Sequence, residues 1–223
     1  MNEALRRSAA HVLVADVTAP ALDDDAVHHL RRVLRLRSGA AVTVTDGAGS
    51  WRPCVVTSDG VDAAGDVALE AAPGAVTIAV APPKGDRLDW LVQKVTEVGA
   101  TAITLLTAER SVVRWDGERA DRQLDRLRRI AAEAAMQSRR VWLPAITGPV
   151  PALDVLGSWA VAEPGGRRVA VTDRAIAIGP EGGWSPAELD TAGDRVSLGA
   201  NVLRVETAAV VAATLMAAGC GGG

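Results

Sequence analysis

Ile178-Gly179-Pro180-Glu181-Gly182-Gly183-Trp184-Ser185, followed closely by Ser197-Leu198-Gly199-Ala200-Asn201-Val202-Leu203-Arg204-Val205-Glu206-Thr207-Ala208, decides how this 223-residue chain is read. The first stretch sets three glycines and a proline around one carboxylate, directly after the apolar run Ala175–Ile178. Proline pre-sets one turn dihedral, and glycine permits positive φ and close approach of bare main chain. The second stretch is another strand that turns at a glycine and opens a helix. Two such turns, close in sequence, predict backbone donors and acceptors gathered against one small ligand. Ser185 and Glu188 stand at capping-box spacing, so a helix is predicted from Ser185 to Thr191. The spacing is not that of a Rossmann fingerprint, and no Gly-Lys-Ser/Thr follows to make a phosphate loop.

Working outward, strand and helix patterns alternate from Val76 onward. Strands are predicted at Val76–Val80, Ile103–Leu106, Ser158–Ala162, Ala175–Ile178 and Arg195–Leu198. Helices are predicted at Asp86–Val98, with Leu88, Leu91, Val92 and Val95 on one face, at Gly117–Ser138, and at Val205–Ala218. This alternation implies an α/β domain with a mostly parallel sheet, and both glycine turns fall at the carboxyl ends of strands, where such sheets bind ligands. The last helix is apolar nearly all round, which predicts cover on more than one side and hence a partner subunit.

Before Ala71-Ala72-Pro73-Gly74 the pattern differs. A strand at 11–17 and a helix at Leu22–Leu36 precede short strands at Ala41–Asp46, Pro53–Thr57 and Asp66–Glu70, separated by Asp46-Gly47 and Asp59-Gly60 turns. Several short strands with tight turns suggest a small β-barrel. The boundary is placed after residue 72, giving domains 1–72 and 73–223. The Leu22–Leu36 helix carries His28, His29, Arg31, Arg32, Arg35 and Arg37, and no acidic residue occurs from Ala26 through Thr45. A cationic strip of this density is a candidate phosphate contact.

Composition bounds the function. The net charge of −3 excludes a general polycation, so any nucleic-acid binding must be local. Lys84 and Lys94 are the only lysines among 24 basic residues. Phe and Tyr are absent, so the six aromatics are all Trp, and base stacking has only Trp or Arg planes to use. Cys54 and Cys220, outside any CxxC or Cys/His cluster, read as free thiols in a reducing cytoplasm, with no metal site. The longest apolar stretch, Ala208–Ala218, is too short to span a bilayer, and a soluble cytoplasmic protein is expected.

Both glycine turns resemble the SPOUT class of methyltransferases, and most closely its RsmE-type family. The similarity extends to His29-Leu30-Arg31-Arg32-Val33-Leu34-Arg35 with Gly39 and Asp46-Gly47. It continues through Lys84-Gly85-Asp86-Arg87, Gln93-Lys94-Val95-Thr96-Glu97-Val98-Gly99 and Ala134-Ala135-Met136-Gln137-Ser138-Arg139-Arg140. The resemblance implies a PUA-like RNA-binding barrel followed by a trefoil-knotted methyltransferase domain. It implies a homodimer packed through the last helix, acting with S-adenosylmethionine on N3 of a uridine in 16S ribosomal RNA or the small ribosomal subunit. The cofactor set it implies is Glu163, Gly179, Glu181, Gly182, Gly183, Leu198, Gly199 and Leu203, with the two leucines flanking the adenine. The RNA set is His29, Arg31, Arg32, Arg35, Lys84, Arg87, Arg139 and Arg140.

Chemistry adds two catalytic candidates. Uridine N3 must lose a proton before or during attack, and Arg204, leaving the turn at a helix N-terminus, is placed to stabilise the anion. Glu181 is the candidate proton acceptor, with pinning of the glycine turn as its alternative. Two other functions stay open at this point: a ribose 2′-O-methyltransferase of the same class, and a non-catalytic ribosome-assembly factor that binds RNA. Trp184, Asn201-Val202 and Val205 depart from the family pattern.

Overall fold

In the computed structural model, which describes residues 2–220 with the Cys220 side chain excepted, contacts divide the chain into two units. One holds residues 1–72 and 132–143, the other residues 73–131 and 144–223. Chain order assigns 132–143 to the second domain; their contacts place them in the first.

The second unit is built on a six-stranded parallel sheet. Its strands are β6 (Thr77–Val80), β7 (Ala102–Thr107), β8 (Ala145–Pro151), β9 (Ala160–Arg168), β10 (Ala175–Ile178) and β11 (Asp194–Ser197), in the order β11-β9-β10-β6-β7-β8. The central strands are short unbroken apolar runs because both faces are covered. Strand periodicity sorts them. Ile78, Val80, Ile103, Leu105, Ile176 and Ile178 join one core with α3 (Arg87–Val98), α4 (Gly117–Gln137) and α7 (Val205–Cys220). Ala79, Leu106, Val161 and Ala177 join the opposite core with α5 (Leu153–Leu156), α6 (Pro186–Thr191) and Trp184.

Two elements of this unit escape the sequence pattern. β8 contains Gly148, Pro149 and Pro151, which read as loop; at the sheet edge a strand tolerates prolines that a central one would not. β9 is longer than expected. Val161 pairs with Arg195 and Arg167 with Val196, so residues 162–166 bulge out of the strand. The last helix also differs from expectation. Ala209, Ala212, Ala213 and Met216 are fully buried within the unit, and the outward strip is Thr207, Thr214, Leu215 and Ala218. One domain therefore covers most of α7.

The first unit carries β1 (His11–Leu13), β2 (Ala41–Thr45), β3 (Ser50–Val56), β4 (Val61–Ala63) and β5 (Ala68–Leu69), with β1 parallel to β2 and the other pairs antiparallel. A short helix, α1 (Glu3–Arg7), precedes them. The expected Leu22–Leu36 helix is broken: α2 (Asp24–His28) passes into a π-helical turn at His29–Val33, closed by Leu34 N–H to His29 O at 2.9 Å. The like charges Arg31 and Arg35 at i,i+4 oppose a regular helix there. The turn buries Leu30 and ends at Arg35 in the left-handed region, φ 54°. Leu30 packs with Val12, Val42, Val44, Cys54 and Val56. Cys54 is free and buried, which pushes its thiol up; the Cys220 side chain lies outside the described residues.

Residues 132–143 complete this unit. Gly49 N–H donates to Val141 O at 2.8 Å, Leu143 N–H to Gly47 O at 2.9 Å, and Trp51, Leu5 and Val141 form a small core of their own. His11 is 4% exposed, between Thr43 Oγ1 at 2.8 Å and Arg140 O at 3.1 Å. Burial lowers its pKa to about 4.

Candidate cofactor cleft

The strands β10, β9 and β11 are neighbours and parallel, so the segments that leave their carboxyl ends emerge at one edge of the sheet. Together they line an open cleft of about 780 Å³, within the range of small-molecule sites. Its walls are the β9 bulge (Ala162 to Gly165), the turn after β10 (Gly179, Pro180, Glu181, Gly183, Trp184) and the stretch after β11 (Ser197 through Val205). Arg87 of α3 and Ala208 of α7 complete it.

The local chemistry explains these turns. A Cβ on Gly179 would lie 2.9 Å from the Trp184 ring, so glycine is required for the indole to pack beneath the turn. Gly183 has φ 71°, and its N–H closes the turn on Pro180 O at 2.8 Å. Ser185 then starts α6 with a full capping box: its N–H donates to Glu188 Oε2 at 2.8 Å, and its Oγ accepts from Glu188 N–H. The buried Glu188 also accepts from Glu109 N–H at 2.8 Å, which fixes the neighbouring loop. Asp86 stands at the N-cap of α3 as expected, but its side chain makes no capping bond.

Seven of the eight expected cofactor residues line this cleft: Glu163, Gly179, Glu181, Gly183, Leu198, Gly199 and Leu203. Gly182 does not. Its carbonyl accepts from Arg110 Nη1 at 3.1 Å, so that residue serves the turn from behind. Leu198 and Leu203 pack on the core while lining the cleft. Arg204 also lines it, exposed, with no side-chain hydrogen bond or ion pair among the described residues. Glu163 is likewise unpaired there.

Glu181 is held. Its Oε1 accepts from Arg87 Nη2 at 2.8 Å. Burial pushes its pKa up, but its own N–H, the Lys84 N–H and the Arg87 charge outweigh that and leave it below the ordinary carboxylate value. Such a carboxylate is a weak proton acceptor at neutral pH. The geometry thus favours the alternative role, pinning the turn, over proton transfer.

A family model for an RNA methyltransferase domain matches residues 70–217, and one for an RNA methyltransferase PUA domain matches residues 22–62. Ribosomal RNA small subunit methyltransferase E of Mycobacterium bovis is 33% identical over 217 residues, covering 86% of this chain and 83% of the relative. The chain belongs to the ribosomal RNA small subunit methyltransferase E family. Among solved structures, a probable rRNA-methyltransferase from Porphyromonas gingivalis superposes with a TM-score of 0.79 at 30% identity, over 95% of this chain and 98% of that one. A ribosomal RNA small subunit methyltransferase E from Neisseria gonorrhoeae, solved bound to S-adenosyl methionine, gives a TM-score of 0.77 at 25% identity over 93% and 96% of the two chains.

In this member of the family the expected RNA set divides between the units. His29, Arg32 and Arg35 are exposed on the π turn, and the arginines have no partner among the described residues. Arg31 is engaged, donating to Thr57 O. Arg139, in the left-handed region, donates to Ser8 O at 3.1 Å and Met136 O at 3.0 Å. Arg140 is half-buried and offers its carbonyl to His11; burial lowers the pKa of both arginines. In the second unit Lys84 is exposed, whereas Arg87 faces Glu181 and, at 3.8 Å, Glu206. Sequence reasoning missed that pairing, the Arg110 contact, and the lining roles of Val202 and Ala208, because each joins residues far apart in the chain or carries no polar signal. No group of His, Cys, Asp and Glu suited to a metal occurs among the described residues, and none of their helices is long and apolar enough to cross a membrane.

Proposed function

We propose that this chain transfers a methyl group from S-adenosylmethionine to N3 of a uridine in small-subunit, 16S ribosomal RNA. The observation that carries the reading is the cleft itself. Three neighbouring parallel strands deliver glycine-bearing main chain to one opening, with two leucines against it and an unpaired arginine at its edge. These residues fit the cofactor. Gly179, Gly183 and Gly199 leave backbone bare, Leu198 and Leu203 supply apolar surface for an adenine, and Glu163, unpaired among the described residues, offers a carboxylate to a cationic donor. When bound, the cofactor supplies a methyl group activated on a sulfonium.

The chain's own residues do the rest. Arg204 precedes α7, where the helix dipole adds positive potential. Its positive charge favours the uridylate anion. Glu181 acts by holding the glycine turn. Arg32 and Arg35, exposed and unpartnered among the described residues, take RNA phosphates, with Lys84 doing so beside the cleft; His29, Arg31, Arg139 and Arg140 shape the remaining RNA surface.

The same reading proposes the first unit, residues 1–72 closed by 132–143, as a PUA-like barrel and the second unit as a trefoil-knotted domain, working in the cytoplasm as a homodimer. The strip of Thr207, Thr214, Leu215 and Ala218 on α7 supports a partner copy at that helix, with Leu215 44% exposed. Incubating the protein and cofactor with small subunits from a strain lacking this methylation, then mapping by mass spectrometry, tests the reaction. N3-methyluridine is expected; methyl on a ribose 2′-oxygen, or none at all, overturns it.

A further inference from the structure

Arg87 opens α3, and its side chain meets three segments of the second unit. Nε donates to Lys84 O at 3.1 Å, Nη2 to Glu181 Oε1 at 2.8 Å, and Nη1 lies 3.8 Å from Glu206 Oε2. Glu206, in the first turn of α7, is 9% exposed, and its Oε2 has no hydrogen-bond partner among the described residues. A carboxylate so nearly dry leans on the Arg87 guanidinium, because breaking a buried ion pair by removing one partner is strongly destabilising. Without it Glu181 and Glu206 would lose the cation they share. Arg87 is therefore committed to the protein more than to solvent, unlike Lys84 beside it.

We propose that Arg87 is a positioning residue that ties the glycine turn 179–184 to the first turn of α7 and so holds the two main walls of the cleft in register. This deepens the cofactor reading and rests on it for the ligand; the tie itself consists of this chain's own side chains. It replaces the phosphate contact expected for Arg87 from sequence, and the two roles differ in outcome. A phosphate contact acts on RNA affinity alone. A tie acts on the cleft before RNA arrives. It also carries a signature of its own: neutralising Glu206 partly repairs the loss of Arg87, since the orphaned carboxylate is then gone.

The test uses the full chain without RNA. Amide hydrogen exchange is followed at Gly183, bonded to Pro180 O, and at Ala208, bonded to Arg204 O, both at 2.8 Å. S-adenosylmethionine binding is followed by calorimetry. R87A should speed exchange at both amides and weaken cofactor binding about ten- to hundredfold, the worth of a charge-assisted hydrogen bond. R87A/E206Q should recover part of both losses. Wild-type exchange at both amides in R87A, or a double variant worse than the single one, overturns the proposal. Should R87A not fold, E181Q decides: faster exchange at Gly183 with Ala208 unchanged supports the tie, and no change at Gly183 overturns it. If the exchange pattern holds while wild-type protein takes up no S-adenosylmethionine, the tie stands and the cofactor reading fails.

Discussion

The two units hold their charges in opposite ways. On the π turn of the first, Arg32 and Arg35 stand in solvent with no protein partner among the described residues. Around the cleft of the second, Arg87 meets two carboxylates, Glu188 takes two backbone N–H groups, and Glu163 and Arg204 on the walls are left unpaired among the described residues. The difference suits the partner proposed for each surface. A polyanion is met by loose cations, since exposed pairs contribute little and long side chains adapt. A small ligand is met by fixed atoms, so charges that shape the cleft are tied down and those left free are the ones available to a substrate.

The largest effect that bears on this contrast comes from Arg204. Arg204→Ala should leave cofactor affinity near wild type and cost roughly a hundredfold or more in turnover, as loss of one anion stabiliser does. Single-turnover methylation checks it, and unchanged turnover would return Arg204 to the class of loose cations.

Next is the buried His11 in the first unit. Its folded pKa, about 4, lies below the ordinary value of 6.5 because burial disfavours the charged ring. The unfolded state therefore binds the proton first. The contribution is fully present above about pH 6.5 and falls as pH drops toward 4, by roughly 3 kcal/mol in all. Denaturant unfolding across that range should show the slope, and His11→Gln should flatten it.

Gly183→Val comes third. A β-branched side chain at φ 71° is strained by about 1–3 kcal/mol, so cofactor affinity should fall about tenfold or more. Calorimetry measures it, with RNA affinity as the comparison that should stay put. Smallest is the double substitution Arg32→Gln with Arg35→Gln. RNA binding should weaken severalfold at moderate salt, and the slope of log affinity against log salt should drop by about 0.7–0.9 for each phosphate that the variant no longer neutralises, with cofactor affinity untouched. An unaltered slope would take the strip out of the RNA surface.

What the sequence made legible were features that need particular residue types at fixed spacing. The capping box at Ser185 and Glu188, the glycine turns, and the buried β6 and β10 runs carry their reason in the local chain. Hidden were features whose reason is distant. Arg87 and Glu181 are 94 residues apart, and nothing near either announces the other. β8 was masked by prolines that only an edge position excuses, and the π turn by a periodicity that ordinary helices share. Gly182 was read with its neighbours as part of the lining, because one residue of a turn cannot be told from the next without Arg110 behind it.

Residues 132–143 give the first unit a closing piece supplied from far along the chain. His11 finds its acceptor there, Gly49 its carbonyl, and Trp51 its neighbour Val141. A fragment cut after residue 72 would therefore be an unfinished fold, with an unsatisfied imidazole and a bared indole. Dissection experiments that seek an autonomous amino-terminal module should graft the later segment onto it through a linker, and ribosomal synthesis must have delivered that segment before the module can settle.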